Sequence, residues 1–589
     1  MRNHLANFWN WVKYPTNLAL LALALLPMIV VQIFIARYNM NMPRIDHGWN
    51  AVRFAPGIVD GEFAFMSLLQ VHYGHLVLLP NIQTSLFVWL TDWNVRLETY
   101  MAFVVALVCY GLLLRLMYRA GGRQAVAWAL VPFSALLFAL HHDALWIVGL
   151  FIQWLYPPLL LLVGLMVITG QNNRWFALWV AAGLALLATF SNGNGIVLWG
   201  ALGVSLWFAR RWPWWVFGLW AAAAVGSLLV YIELAGIGVS VAGADVATRQ
   251  SETVSVDQFG LLVRFVLAIL GNMFMAPPRN WGYASLVGLV GLGLFVANAV
   301  LLWPTRQKRQ VLTVWLPLFL YGGGSALVVG LARRDFYREG ATAALLDPYR
   351  MMSAFFWVGV VAVMILAWVT PLKDRWRWQT LQNRVNRVMA LSLLALYPFT
   401  TYMEFQDELF QSRQYHETCY VYFMFTQRHD NPTDSRCQLI YAVYTNYLAA
   451  KRLAMFKHIE PTQIIAEYQP EDVVLVESSH SWINYHARDW LLAGVPPERV
   501  LSFTQDVPRQ GTLVLPPNFQ TGINRYSDLH PFLNEFLEDA GTIWVVRPAL
   551  ETSIVPELWE ALAVNPAAVP ETLYVVADTA AFTIQRYER

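Results

Sequence analysis

Apolar positions in this chain neither alternate nor recur on one helical face. Through the first two-thirds they run on without interruption, in stretches separated by short basic turns. A helix crosses the hydrocarbon core of a bilayer in about 20 residues. By that measure Thr16 to Ala36 is a first span, and further spans begin near Thr99, Gln124, Trp146, Trp175, Ile196, Trp214, Ala284, Val311, Met351 and Val388. The pattern therefore predicts about 11 crossings by apolar length alone. Thr16–Ala36 is too long for a signal-peptide core and no small-residue cleavage site follows it, so it reads as a retained span. From about Tyr402 the pattern changes to short β-type runs, 472–477, 499–503, 542–547, 572–577 and 582–586. Helical patterns near 482–492 and 555–563 lie between them, which predicts a small α/β layer structure. The fold class is thus mainly α: a polytopic helical membrane body, 1–403, with an outer loop at 37–98, followed by an α/β domain at 404–589.

Composition sharpens the division. The chain has 589 residues, 57% hydrophobic and 13% charged, where a soluble protein would be roughly a quarter charged. Of its 38 acidic residues, 14 lie in the first 400 positions. These figures exclude a soluble enzyme, a secreted disulfide scaffold and a DNA-binding domain, and no nucleic-acid partner is expected. Charge also sets a direction. Arg115, Arg119 and Arg123, then Arg210 and Arg211, then Arg306, Lys308 and Arg309, then Lys373 to Arg387 all fall on the side of the N-terminus. The positive-inside rule makes that side cytoplasmic, and an odd number of crossings sends the C-terminal domain outside.

Three apolar features depart from simple spans. Phe259–Ala276 carries Arg264 and ends at Pro277-Pro278; counted as a crossing it would invert every later loop, so it is expected to lie in the outer interface or re-enter the membrane. Tyr156-Pro157-Pro158 and Tyr321-Gly322-Gly323-Gly324 predict kinks or unwound points. Gly288, Gly291 and Gly293 lie within a span, where close helix packing explains them better than a nucleotide loop does.

Ionisable residues near one membrane face are the first candidates for chemistry. The 37–98 loop holds Asp60 and Glu62 just before an amphipathic run, Phe63 to Leu79, expected to lie along the membrane surface. A carboxylate there can take a proton from an acceptor hydroxyl at the water–lipid boundary, or simply cap the following helix. His72 and His75, three apart, would share a helix face and could bind a phosphate; as metal ligands they lack a third and fourth partner. His141, His142 and Asp143 stand at the outer end of another span. The loop before Met351 is unexpectedly rich in arginine, with Arg333, Arg334, Arg338, Tyr349 and Arg350, which suits an anionic ligand such as a lipid phosphate or ion pairing with acidic residues of the outer domain. Ser191-Asn192-Gly193-Asn194-Gly195 predicts a tight turn. Cys109 lies in a span, and Cys419 and Cys437 form a reasonable extracytoplasmic disulfide pair.

Four stretches carry a family resemblance: DGEFAFMSLLQVHYGHLVLLP from Asp60, LWIVGLFIQW from Leu145, ATFSNGNGIVLW from Ala188 and DPYRMMSAFFWVGV from Asp347. Together with the topology and the C-terminal domain, the chain resembles the GT-C superfamily of membrane glycosyltransferases, in the bacterial branch related to protein O-mannosyltransferases and aminoarabinose transferases. The resemblance implies an enzyme of the bacterial cytoplasmic membrane that moves a sugar from a polyprenyl-phosphate donor to an acceptor hydroxyl on the outer face, inverting the anomeric centre. It implies Asp60 as catalytic base with Glu62 as second acid, and phosphate contacts from the 333–350 arginines. The sequence departs from the family in two places: Gly61 separates the acids, which leaves open which is the base, and Tyr349 precedes Arg350 where relatives tend to have the reverse. Some relatives use a divalent metal, so a metal cofactor stays open. A non-catalytic subunit that kept the fold is the main alternative. A transporter would show internal repeats, and none is evident.

Overall fold

The computed structural model describes residues 15–39, 41, 47, 51, 54–69, 71–72, 75–170, 173–209, 212–235, 256–275, 280–305, 307–332 and 342–370, single residues and short stretches between 380 and 403, and the strands of the C-terminal part with their immediate flanks. The chain divides into two compact units: Met1–Asn39, Arg53–Phe87 and Arg96–Leu409 form one, while Met40–Val52, Val88–Val95 and Phe410–Arg589 form the other. Two segments of the 37–98 loop thus group with the C-terminal part, although the sequence assigns the whole loop to the body. Within these segments Ala51, Trp93 and Val95 are fully enclosed, and Trp93 meets His47 edge-on at 5.5 Å.

The first unit is a polytopic helical membrane body. Among the described residues, seven helices are long and apolar enough to cross a bilayer: Pro15–Arg37, Val95–Leu137, Gly149–Gly170, Trp214–Leu234, Trp281–Leu302, Lys308–Ala332 and Arg350–Val369. Arg174–Thr189 and Gly193–Ala209 are shorter apolar helices packed among them. In chain order the helices used below are α1 (Pro15–Tyr38), α2 (Ala55–Asp60), α3 (Leu78–Thr91), α4 (Val95–Leu137), α5 (Asp143–Ile147), α6 (Tyr156–Gly170), α7 (Arg174–Thr189), α8 (Val197–Ala209), α9 (Trp214–Leu234), α10 (Val256–Gly271), α11 (Trp281–Leu302), α12 (Lys308–Ala332) and α13 (Arg350–Val369). The expected span near Val388 lies largely outside the described residues.

α4 contains two crossings. Its 43 residues would measure about 65 Å if straight, twice the hydrocarbon thickness. Gly122 reverses the chain, at φ 68°, a left-handed value that glycine adopts without steric cost. The Tyr110 hydroxyl then reaches the Leu130 carbonyl across the hairpin at 2.9 Å, although 20 residues separate them. α13 is the central helix, with every residue from Arg350 to Ala367 buried. It packs on α12 and α11 through close approaches at glycine: a Cβ on Gly322 would lie 2.6 Å from that of Phe356, and one on Gly291 would lie 2.7 Å from the Phe356 ring. Small residues permit this proximity where burial of apolar surface offers helices no drive to associate.

That packing corrects the expectation of a break at Tyr321–Gly324. The helix is continuous there, because the glycines serve contact rather than bending; the irregularity is a π turn earlier, at Val311–Trp315. At Tyr156-Pro157-Pro158 the expected irregularity is present: the span Gly149–Gly170 changes there from a 3-10 segment, Gly149–Trp154, to α6, whose first turn holds both prolines where a missing N–H costs nothing. α10 packs against α11, α12 and α13. Arg264 stacks on Trp281 at 3.5 Å, Gly288 lies under the Leu267 carbonyl, Gly330 meets Leu262, and Trp357 donates to the Leu270 carbonyl at 2.9 Å.

The spans share a basic end. Arg119 donates to the Met166 carbonyl at 3.3 Å, Gln307 to the Ala120 carbonyl at 2.8 Å and Arg309 to the Ala209 carbonyl at 2.8 Å, which brings three predicted basic turns together. In the second unit, β3 (Val473–Ser478), β4 (Val500–Thr504), β5 (Thr512–Val514), β6 (Thr542–Pro548), β7 (Thr572–Val576) and β8 (Thr579–Glu588) form one mixed sheet in the order β5-β4-β3-β6-β8-β7. β4, β3 and β6 are parallel and the outer strands antiparallel. β5 is too short to have shown in the sequence pattern. Cys419 and Cys437 lie outside the described residues.

Candidate functional site

At the end of the body opposite the basic turns, the spans are joined by irregular polar segments. α1 ends there, where Arg96 Nε donates to the Asn39 carbonyl at 3.1 Å and ties α1 to the first turn of α4. The loop that carries Asp60, Glu62, His72 and His75 therefore leaves from and returns to this end. Asp60 is the last residue of α2, and Gly61 closes that helix in a left-handed conformation. Asp60 hence terminates a helix and does not cap the next one. Both Asp60 and Glu62 are exposed.

The run after Glu62 is not the surface helix that its amphipathic pattern predicts. It forms a 3-10 turn at Phe65–Leu69 and then a small hairpin, β1 (Val71–His72) and β2 (His75–Leu76), before α3 begins. His72 and His75 are cross-strand partners, with ring centroids 5.9 Å apart. Leu68, His72 and Leu76 are buried, while Val71 and His75 are half-buried.

His75 opens a polar chain whose protonation can be deduced. The Asn194 N–H, an obligate donor, donates to Asn192 Oδ1 at 2.9 Å, so Asn192 Nδ2 is turned outward. It donates to Gln153 Oε1 at 3.3 Å, which fixes that oxygen toward His75. His75 Nε2, 3.1 Å from the same oxygen, must then carry its proton. Asn194 Nδ2 continues the chain to Met352 Sδ at 3.8 Å, on the first turn of α13. Gly193 fits between Tyr231 and His75, where a Cβ would lie 3.3 Å from the tyrosine oxygen.

A second cluster sits beside it. Arg350, fully buried, donates through Nη1 to the His141 carbonyl. His141, His142 and Asp143 are all buried in the turn leading into α5, and His142 Nε2 faces the Leu136 carbonyl at 3.0 Å. Tyr349 meets Trp154 edge-on at 6.0 Å. The structure thus brings the His141–Asp143 and Tyr349–Arg350 motifs together. Arg333, Arg334 and Arg338 lie outside the described residues. Arg350→Gln keeps a polar side chain but loses the charge-assisted bond, and is expected to cost about 2 kcal/mol. A lowered thermal midpoint of the purified protein would agree; an unchanged midpoint would mean that the His141 contact does not hold the turn.

Sequence reasoning passed over a third group. Glu98, buried in the first turn of α4, receives the Thr84 hydroxyl and, at 3.5 Å, Gln83 Nε2; the Tyr156 hydroxyl donates to Gln83 Oε1 at 2.6 Å. Its signal was a lone carboxylate at the start of an apolar run, where a helix N-terminus favours negative charge. Gln153, a single amide inside LWIVGLFIQW, was visible in the same way. Among the described residues no group of three or more His, Cys, Asp and Glu is arranged to hold a metal ion.

Fold and site together define an integral membrane protein with several spans and a buried polar cluster at one end. No protein-family model matches the chain, and no curated protein does. A structure of ArnT from Cupriavidus metallidurans in the apo state is similar over 99% of this chain and 98% of that one, at 12% identity and a TM-score of 0.30.

Proposed function

We propose that the protein is a GT-C-like glycosyltransferase that moves a sugar from a polyprenyl-phosphate donor to an acceptor hydroxyl at the outer face of a bacterial cytoplasmic membrane. The observation that carries this reading is the gathering of two exposed carboxylates on one loop, a histidine-bearing hairpin and a buried Arg350–His141 contact at a single end of the bundle. An enzyme acting on a lipid-borne substrate needs a proton acceptor at the water boundary beside cationic groups for the leaving phosphate.

Asp60 accepts the proton of the acceptor hydroxyl as its oxygen attacks the anomeric carbon. The bond from that carbon to the phosphate oxygen breaks, the lipid phosphate leaves, and the configuration inverts. Glu62 is the second acid. Arg333, Arg334 and Arg338 neutralise the departing phosphate. Arg350, whose guanidinium holds the His141 turn, positions the histidines, and Tyr349 and the His72–His75 hairpin line the donor side. In-line placement and charge neutralisation would supply most of the barrier reduction. The basic end faces the cytoplasm and the C-terminal unit lies outside, as the charge bias of the loops requires.

Purified protein given a panel of polyprenyl-phosphate sugars should release polyprenyl phosphate, by transfer or by slow hydrolysis. No turnover across the panel, together with no binding of the lipid phosphate, would overturn the reading in favour of a non-catalytic membrane subunit.

A further inference from the structure

The basic end of the bundle carries a second site, and it is independent of the chemistry proposed above. α7 begins at Arg174, held in place by Asn173, whose side chain accepts from the N–H groups of Trp175 and Phe176 at 3.0 and 3.2 Å. The Arg174 guanidinium lies over two indoles, 5.8 Å from the centre of Trp175 and 5.5 Å from that of Trp212. Trp212 and Trp215 both contact Trp175, at 5.1 and 6.2 Å, so the segment entering α9 and its first turn close around this arginine.

Three observations assign a ligand class. First, not one acidic residue occurs from Ala144 to Ile232, so the elements that build the patch offer the guanidinium no carboxylate. Second, α7 and α9 both start here, adding two helix N-termini of positive polarity, while Arg309 covers the Ala209 carbonyl of the third helix end. Third, the Trp212 indole nitrogen is shielded from water and has no hydrogen-bond partner among the described residues. Around the patch Trp179, Trp207 and Trp214 are 71%, 60% and 83% exposed, the arrangement of rings that seats at the headgroup level of a bilayer.

We propose that Arg174, Trp175, Trp212 and Trp215 form a binding site for the head group of an anionic phospholipid. The guanidinium and the Trp212 N–H would receive the phosphate, and the exposed indoles would flank the glycerol and upper acyl chains. A cation resting on two ring faces still presents its N–H edges outward, which is the geometry that a phosphate oxygen needs.

The test is native mass spectrometry of the intact protein released from vesicles of phosphatidylglycerol mixed equally with phosphatidylcholine. The parent is expected to retain phosphatidylglycerol preferentially, and millimolar inorganic phosphate should not displace it. Arg174→Gln should weaken retention about fivefold, the share of one basic side chain near a membrane surface, and Trp212→Phe, which keeps the ring and removes the N–H, should weaken it as well. Both changes are at partly or fully exposed positions. No preference in the parent, displacement by free phosphate, or an equal loss in Lys308→Gln, a basic residue of the same end stacked on Trp303, would overturn the site in favour of a diffuse charge effect.

Discussion

Asp60→Asn is expected to lower sugar transfer by about 10²–10⁴-fold while leaving the fold intact. The amide keeps the size and polarity of the side chain but cannot accept the proton of an acceptor hydroxyl. Because Asp60 is exposed at the end of a short helix, the substitution should change stability by less than about 0.5 kcal/mol. The two readouts therefore separate chemistry from folding. Glu62→Gln is the paired measurement, since Gly61 makes the assignment of the base ambiguous. If Asp60→Asn retains full turnover and Glu62→Gln loses it, the base is Glu62; if both retain it, the proton acceptor lies elsewhere, and the buried Glu98 becomes the next carboxylate to change. Thermal midpoints equal to that of the parent are required for each comparison to count.

Gly195→Ala is expected to destabilise the body by about 3 kcal/mol or more and to disrupt the polar chain from His75 to Met352. A Cβ at this position would lie 1.8 Å from the Ala188 carbonyl oxygen and 2.1 Å from its carbon. Both obstacles are backbone, so no side chain can swing aside, and one helix end must move bodily; that places the cost at or beyond the upper range for overpacking. The Asn192 cap of the 193–196 turn would shift with it, releasing Gln153 and with it the His75 orientation. Unfolding of the variant in detergent, followed by near-ultraviolet circular dichroism, measures the first effect. A midpoint within 1 °C of the parent would show that the 188–195 turn is looser than the close approach implies.

Much of the architecture was legible from apolar run length, because a helix in lipid must satisfy all its own backbone groups and so announces itself by length and composition. Ten of the expected span starts, from Thr16 to Met351, fall within or beside a described helix, and even the merged α4 was readable as two crossings from the arginines at its turn. The amphipathic run after Glu62 was misread for an equally physical reason. Its periodicity fits a helix, but a short segment confined between two spans adopts whatever satisfies its backbone within the distance available, here a 3-10 turn and a hairpin. Glycines in α12 were misread because flexibility and close packing leave the same letter in a sequence.

The sequence by itself determined that this is a membrane protein of many spans with a separate polar C-terminal part, and which loops carry the acids, histidines and arginines. Composition and run length are properties of each segment alone, so no partner is needed to read them. Only the tertiary structure decided that Arg350 meets the His141 carbonyl, that His75 reaches Gln153 and through it Asn192, that Glu98 is buried under Thr84 and Gln83, and that the Arg174 guanidinium lies over the indole of Trp212, which precedes α9. Each of these contacts joins segments between 14 and 209 positions apart, and their distances depend on how the spans pack, which no local pattern encodes.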